Sequence, residues 1–508
     1  MTNRSIHLPL LTLALGLGTF IQVLDGSIAN VCIPNIAADL GVSPREGVWV
    51  ITSFSVSNAI VLPLTGWLAN RFGSVRLFSL STLLFGFFSA CCALSYDYTA
   101  LIISRILQGA VAGSLIPLSQ GLLVMHYPPE KKGIALSIWG MIVIVAPILG
   151  PIAGGWITDN YGWPWVFYIN IPIALLSAAL SWSLLKDHET PRQRLPIDLV
   201  GFFLLSIGIA SLQITFDKGH DLDWFSSPFI QALAATASAS LIYFFIWERG
   251  QPNPIVDLSF FKIRNYSLGV LLSTLAYTLI FGTMVLFPLF LEQNLDYTPY
   301  LSGLAIAPIG ILPFFLTPLI GRWLLKVDLR YLVTLSFASL GATFLWFTHF
   351  NTAISFEDIC LSRLIQGFGN AFFFIPLFTL AIADVPKEKV SSASGIYNGI
   401  RLLIGGGLGT SLFTTLWNNW QAIYLTLYRE KMNPFNPAYK NARTLYESLS
   451  FKGATADALI EGAISRQASM LGLNDIFLLS AILFFASIPL IWLMKNTLQS
   501  QPANNAGE

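Results

Sequence analysis

The sequence predicts an all-α polytopic membrane protein made of two homologous six-helix halves with two extra helices between them. Three observations carry this. The 508 residues are 54% hydrophobic and only 11% charged, with a mean hydropathy of +0.66, whereas soluble domains hold about 25% charged residues. Fourteen apolar runs approach the roughly 20 residues needed to cross about 30 Å of hydrocarbon. Third, Ser104-Arg105-Ile106-Leu107-Gln108-Gly109 recurs as Ser362-Arg363-Leu364-Ile365-Gln366-Gly367, and Ile116-Pro117-Leu118 as Ile375-Pro376-Leu377. A long repeat in the same order and orientation implies halves related by an axis along the membrane normal.

In chain order the expected spans are 8–33, 48–69, 77–95, 99–124, 134–157, 163–185, 197–215, 228–247, 266–291, 301–325, 332–350, 358–383, 393–416 and 475–494. Residues 1–196 would form the N-terminal half, 197–247 the extra pair, and 248–508 the C-terminal half. The first run is longer than a signal-peptide core and lacks a small-residue cleavage site, so it reads as a span. An even number of spans puts both termini on one side. Segments on that side carry seventeen Lys and Arg, from Arg4 through Arg194 to Lys495, against Arg45 and Lys218 in the opposite short loops. Positive charge marks the cytoplasmic face, which gives N-in and C-in. Residues 417–474 then form a long extracytoplasmic loop with Asn433-Pro434-Phe435-Asn436-Pro437 and short helices. It serves either as a solvated cap or as a partner-docking surface.

The charge balance excludes several classes. Twenty-eight Lys and Arg stand against 27 Asp and Glu, so nothing marks a nucleic-acid partner. The cysteines Cys32, Cys91, Cys92 and Cys360 lie in or beside apolar runs without metal or redox spacing. No phosphate-binding G-x-x-x-x-G-K-[ST] loop is present, and His188-Glu189 lacks the second histidine of a zinc-protease motif. An enzyme, an ATP-driven pump, a bound metal and a cofactor are therefore not expected.

Charges inside the spans carry the functional signal. Asp25, Arg105 and Arg363 each sit in an otherwise apolar run, where a charge costs about 2.5–3.5 kcal/mol on insertion scales. Gly18, Gln22, Asp25 and Ala29 fall on one helical stripe, expected to face the bundle interior or a water-filled cavity. Arg105, Gln108, Gly109 and Ala112 form a second stripe, repeated by Arg363, Gln366, Gly367 and Asn370. A guanidinium holds its proton permanently, so Asp25 is the exchangeable group and Arg105 biases it. Arg363 has no carboxylate in the middle of the neighbouring spans. Arg401, followed by Gly405-Gly406-Gly407 and Gly409, either braces its helix or faces the cavity.

Backbone signals add to this. Ala146, Gly150 and Gly154, with Gly155 beside them, make a small-residue face for close helix packing. Pro147 and Pro151 should kink that helix. Gly66, Asn70, Arg71, Gly73 and Arg76 mark a tight cytoplasmic turn whose arginines could reach helix ends or acidic groups of the other half. A broad apolar cavity is expected to use Phe20, Gln22, Tyr277, Phe281, Met284, Tyr397 and Asn398, because aromatic and Met side chains adapt to varied shapes.

Leu24-Asp25-Gly26-Ser27-Ile28-Ala29-Asn30-Val31, Gly66 to Arg76, Arg105 to Gly109, and Gly150-Pro151 with Gly154-Gly155 together resemble the major facilitator superfamily. Within it they are similar to the 14-helix drug:proton antiporters of the EmrB/QacA type. The likeness extends through Leu222 to Ser227, Asn253 to Leu258, and Asn433 to Pro437. Two departures stand out: Asn70 replaces the usual acidic residue, and Ala146 the usual glycine. The resemblance implies a proton-driven multidrug efflux transporter of amphiphilic compounds, working by alternating access in a bacterial inner membrane. It also implies a periplasmic adaptor (a membrane fusion protein) and an outer-membrane channel as partners. A dedicated exporter of an endogenous metabolite or siderophore on the same fold is the alternative.

Overall fold

The computed structural model describes residues 7–192, 198–219, 222–251, 254–324, 326–433, 435–451 and 453–496. Arg4, Arg194, Asn253, Pro434 and the 196/197 boundary expected above lie outside the described residues, as does the side chain of Pro151.

The principal helices are α1 (Leu8–Asp39), α2 (Trp49–Phe72), α3 (Ser74–Ala93), α4 (Tyr98–His126), α5 (Pro129–Tyr161), α6 (Asn170–Leu185), α7 (Leu199–Gly219) and α8 (Pro228–Glu248). They continue with α9 (Arg264–Asn294), α10 (Leu301–Trp323), α11 (Leu329–Phe347) and α12 (Phe356–Ile382). The α13 element joins Val390–Ile400, a π-helical stretch Arg401–Leu408, and Gly409–Arg429; α14 is Ala454–Trp492. No strand occurs among the described residues.

Local chemistry sets many of the ends. Asp97, Thr298, Ser355 and Asp328 lie at N-caps and accept from the first-turn backbone, meeting donors that a helix leaves unpaired. At Gly73 the backbone adopts φ +91, which closes α2 and starts α3 in a turn no larger residue enters without strain.

Twelve of these helices, among the described residues, are long and apolar enough to cross a membrane. A thirteenth span is supplied by α5 if its two parts, Glu130–Pro147 and Ile152–Tyr161, count as one. They meet at 48°, the bend that prolines at 147 and 151 predict. The expected span at 393–416 is helical but interrupted by the π turn at its run of glycines, and it falls outside the twelve.

Helix pairing repeats between the first and last six helices. In the first set α1 packs on α5 and α6, α3 on α4 and α6, and α2 on α4. In the last set α9 packs on α13 and α14, α11 on α12 and α14, and α10 on α12. Across the middle α2 meets α13 and α5 meets α10, each pair the counterpart of the other. The extra helices α7 and α8 pack together, and α7 also rests on α2 and the π turn of α13.

The region 417–474 differs from the expected loop. Among the described residues, only 430–433, 435–436, 449–451 and 453 are non-helical, around a Pro437–Ser448 helix. The rest continues α13 and α14, because no proline or glycine interrupts 410–429 and Ala-rich sequence follows Gly453. At 39 residues α14 is about 58 Å long, nearly twice a bilayer core. Its projecting part is held to α13 by Arg429 on Glu461 and by Tyr424 Oη donating to Asp475 Oδ2 at 2.7 Å.

Candidate functional site

Asp25 and Arg105 meet in the interior of the first six helices, both at 0% exposure. Arg105 Nη1 donates to Asp25 Oδ2 at 2.5 Å and to Gln108 Oε1 at 2.7 Å, and its Nε donates to the Val50 carbonyl at 3.0 Å. The other carboxylate oxygen accepts from Asn170 Nδ2 at 2.8 Å and Gln108 Nε2 at 3.2 Å. Asn170 also donates to Ser89 Oγ at 3.1 Å, which donates to the Phe167 carbonyl at 2.8 Å. Phe54 and Phe167 lie 4.3 and 5.4 Å from the guanidinium carbon and give it aromatic faces as well. Both carboxylate oxygens therefore accept hydrogen bonds in the interior of the first six helices.

Of the two settings open to the α1 stripe, the structure selects the bundle interior. A Cβ on Gly18 would meet Phe78 and Ser177 of α3 and α6. Asp25 is fully buried in this conformation.

The small-residue face of α5 is what brings α1 into place. A Cβ on Gly150 would come within 2.4 Å of Ser27 Oγ, and one on Gly154 within 2.8 Å of Ile28. Ser27 Oγ donates to the Pro147 carbonyl at 3.1 Å. The α1–α5 contact thus touches the two or three residues next to Asp25. Gly155 does not share in it: nothing lies within 4 Å of its would-be Cβ. The helix turns Gly155 away from the face that Gly150 and Gly154 present.

In the last six helices Arg363 and Gln366 repeat the Arg105–Gln108 bond, with Nη1 donating to Oε1 at 2.5 Å. Among the described residues no carboxylate joins them. Phe287 and Phe347 lie 3.6 and 4.8 Å from the guanidinium carbon, and Nε and Nη2 have no hydrogen-bond partner. Arg401 opens the π turn and lies between Tyr277 at 4.8 Å and Phe374 at 4.4 Å.

The Gly66–Arg76 turn differs from expectation at Arg76. Arg76 pairs with Glu189 at 3.9 Å, inside its own half, and Glu189 accepts from Val75 N and Arg76 N at 3.0 Å, capping α3. The Asn70 side chain is exposed and makes no hydrogen bond among the described residues. Arg71 lies over Trp67 at 5.9 Å. Contact with the other half runs through Gly66, whose missing Cβ leaves room for Ser392 of α13.

Near that end the two halves interlock. Asn398 Nδ2 donates to Gln120 Oε1 at 2.9 Å, and Ser394 Oγ donates to the same oxygen. Gly121 abuts Ser391, and Gly133 abuts the Gly321 carbonyl. Trp139 of α5 stacks on Phe374 of α12 at 6.0 Å.

The expected cavity residues separate into groups. Phe20 lines an apolar cleft of about 230 Å³ with Leu17, Ile142 and Phe314. Tyr277 stacks on Phe281 at 5.1 Å beside Arg401. Tyr397 is buried on α13, Asn398 is taken up in the interlock, and Gln22 is buried on α1. Met284 is half-buried on α9, one turn from Phe281 and away from the cleft that Phe20 lines. Sequence reasoning missed Asn170, Ser89 and Gln120, which are single neutral polar residues with no periodic partner in the sequence.

A family model described as Major Facilitator Superfamily matches residues 15–410. The chain is 46% identical over 487 residues to the multidrug export protein EmrB of Haemophilus influenzae, covering 96% of this chain and 95% of that one. It is also 46% identical over 493 residues to EmrB of Escherichia coli K12, covering 96% of each. Among solved structures it is similar to the proton:xylose symporter XylE, with a TM-score of 0.59 and 14% identity over 95% of this chain and 96% of that one; this likeness shows the fold alone. The chain belongs to the major facilitator superfamily, in its EmrB type, and is a membrane transporter rather than an enzyme.

Proposed function

We propose that the protein exports amphiphilic and hydrophobic compounds in exchange for protons, by alternating access between its two six-helix halves. The observation that carries this reading is the Asp25–Arg105 pair, a carboxylate with an alternative to the proton as its positive partner. In the conformation described here Arg105 holds Asp25. A proton arriving from outside neutralises the carboxylate, weakens its hold on Arg105, and lets α1 shift against Gly150 and Gly154. Cargo binding on the cytoplasmic side favours the return of Arg105 and releases the proton inside.

Fourteen spans with both termini in the cytoplasm complete this reading. The interlock of Gln120 with Ser394 and Asn398 then seals the cytoplasmic side. The projecting α13–α14 hairpin lies on the side where a periplasmic adaptor would dock, and supports a three-part system with an outer-membrane channel. The names of the relatives, multidrug export proteins, support a broad cargo range. Energetically the membrane potential supplies about 2.3 kcal/mol per charge per 100 mV, and each pH unit about 1.4 kcal/mol. One proton therefore supports roughly hundredfold concentrative export.

The test is Asp25→Asn in proteoliposomes with an imposed pH gradient and a fluorescent amphiphile as cargo. Gradient-driven flux should fall at least about tenfold. Driven export at the wild-type rate would show that Asp25 is not the coupling group.

A further inference from the structure

We infer that Asp198 and Glu248 share one proton, and that this proton-binding site on the extra helix pair latches the cytoplasmic end of α13. The latch rests on the efflux reading above and its N-in orientation; the shared proton rests on the geometry alone. Glu248 closes α8 at 3% exposure. Its Oε1 accepts from Val256 N at 2.7 Å and the Ile255 amide also points at this carboxylate, whereas Oε2 has no hydrogen-bond partner. Asp198 stands just before α7 and accepts from Gly201 N at 3.0 Å and from Trp247 Nε1 at 3.2 and 3.0 Å. The two acids close on one point: a Cβ on Gly201 would lie 2.5 Å from Asp198 Oδ2 and 3.2 Å from Glu248 Oε2. Ionised carboxylates are acceptors only, so two of them meeting away from water repel unless a proton stands between them. A proton on that contact gives Oε2 the hydrogen bond it lacks and leaves the pair with a single charge. Asp198 is the charged group that faces Glu248. On the linker packed against both, Val256 presents its backbone and Asp257 is turned to Lys389. Protein donors already occupy the other three oxygens, which leaves one for a metal ion where a hard cation takes several.

The site lies at one end of a continuous connection. Val256, held by Glu248, is followed by Asp257, whose Oδ2 accepts from Lys389 Nζ at 2.8 Å. Lys389 is the residue before α13, and one turn on Tyr266 Oη donates to the Ala393 carbonyl at 2.7 Å. Ser391 abuts Gly121, and Ser394 and Asn398 bond Gln120 of the opposite half. The linker thus holds the first turns of α13 where they meet the other half. With the proton in place, the ends of α7 and α8 stay together and the linker keeps its position. A rise in cytoplasmic pH removes the proton, the two carboxylates repel, and the linker gives way. α13 is then free to leave Gln120 and admit cargo. An acid cytoplasm holds the latch shut and limits further proton entry.

The test uses the full-length purified protein. Infrared spectra at neutral pH should show the carbonyl band of a protonated carboxylic acid that disappears as pH is raised. That band should be lost in Glu248→Gln. It should also be lost in Asp198→Asn, where Glu248 has no like charge to share a proton with, and kept in Asp25→Asn. A band that persists in Glu248→Gln overturns the site, and one that persists in Asp198→Asn marks a lone buried acid and overturns the sharing. In proteoliposomes with a fixed pH difference and ethidium as cargo, both pH values are then raised together. Wild-type export should rise at least about threefold per unit of internal pH, since one titrating group changes its charged fraction by up to about tenfold. Glu248→Gln, whose amide fills the contact permanently, should stay near the low-pH rate. An equal rise in that variant overturns the latch. Wild-type protein with no gradient-driven flux overturns the efflux reading and the latch with it, while the shared proton stands or falls by the infrared band.

Discussion

The two halves of this transporter place the same Arg-x-x-Gln pair in the same setting and then solve its electrostatics differently. Arg105 is bonded to a carboxylate, a glutamine and a backbone carbonyl. Arg363 has the glutamine and two aromatic faces only. A neutralised pair can exchange its positive partner for a proton; a cation set in rings has nothing to exchange. On the proposed function, the exchangeable pair belongs to the first half, while the second half holds its buried cation between Phe287 and Phe347.

The largest effect should come from breaking the pair on one side. Arg105→Gln leaves Asp25 buried without its cation, which costs about 3–5 kcal/mol. Thermal unfolding of the purified protein should show a large drop in Tm, and adding Asp25→Asn should restore much of it. The equivalent change in the second half is milder. Arg363→Gln strands no carboxylate and loses cation–π contacts worth about 2 kcal/mol, partly offset by the removal of a buried charge. Its Tm should stay much closer to wild type, and a drop as deep as that of Arg105→Gln would break the asymmetry.

Packing around α1 sharpens the comparison further. Gly150→Ala drives a methyl into Ser27 at 2.4 Å, and overpacking of this kind costs about 1–3 kcal/mol. Gradient-driven flux should fall with it, because the shifted helix carries Asp25. Gly155→Ala meets nothing and should stabilise the helix by about 0.4–1 kcal/mol without loss of flux. Smallest of all, Arg76→Ala removes a half-exposed ion pair and should change stability by less than about 1 kcal/mol.

Much of this fold was legible because lipid demands long apolar helices, and the repeat around Arg105 and Arg363 announced two halves. The intramembrane charges stood out for the same reason. The seal around Asp25 was not legible, since Asn170, Ser89 and the Val50 carbonyl gain meaning only when three other helices close on α1. Helical spacing grouped Gly155 with Gly150 and Gly154, yet position 155 rotates off the packed face. Proximity in the first turn motif suggested that Arg76 reaches the other half. Glu189, distant in sequence, is closer in space and supplies its charge. The 417–474 segment read as a loop because much of it is polar, and polar amphipathic helices give no hydropathy signal.

The claim that Asp25 trades Arg105 for a proton can be measured without transport. Calorimetric titration of purified protein with a tight-binding amphiphile, repeated in buffers of different ionisation enthalpy, counts protons released per ligand. The wild type should release a proton on cargo binding and Asp25→Asn none. Equal proton release from both would contradict the account.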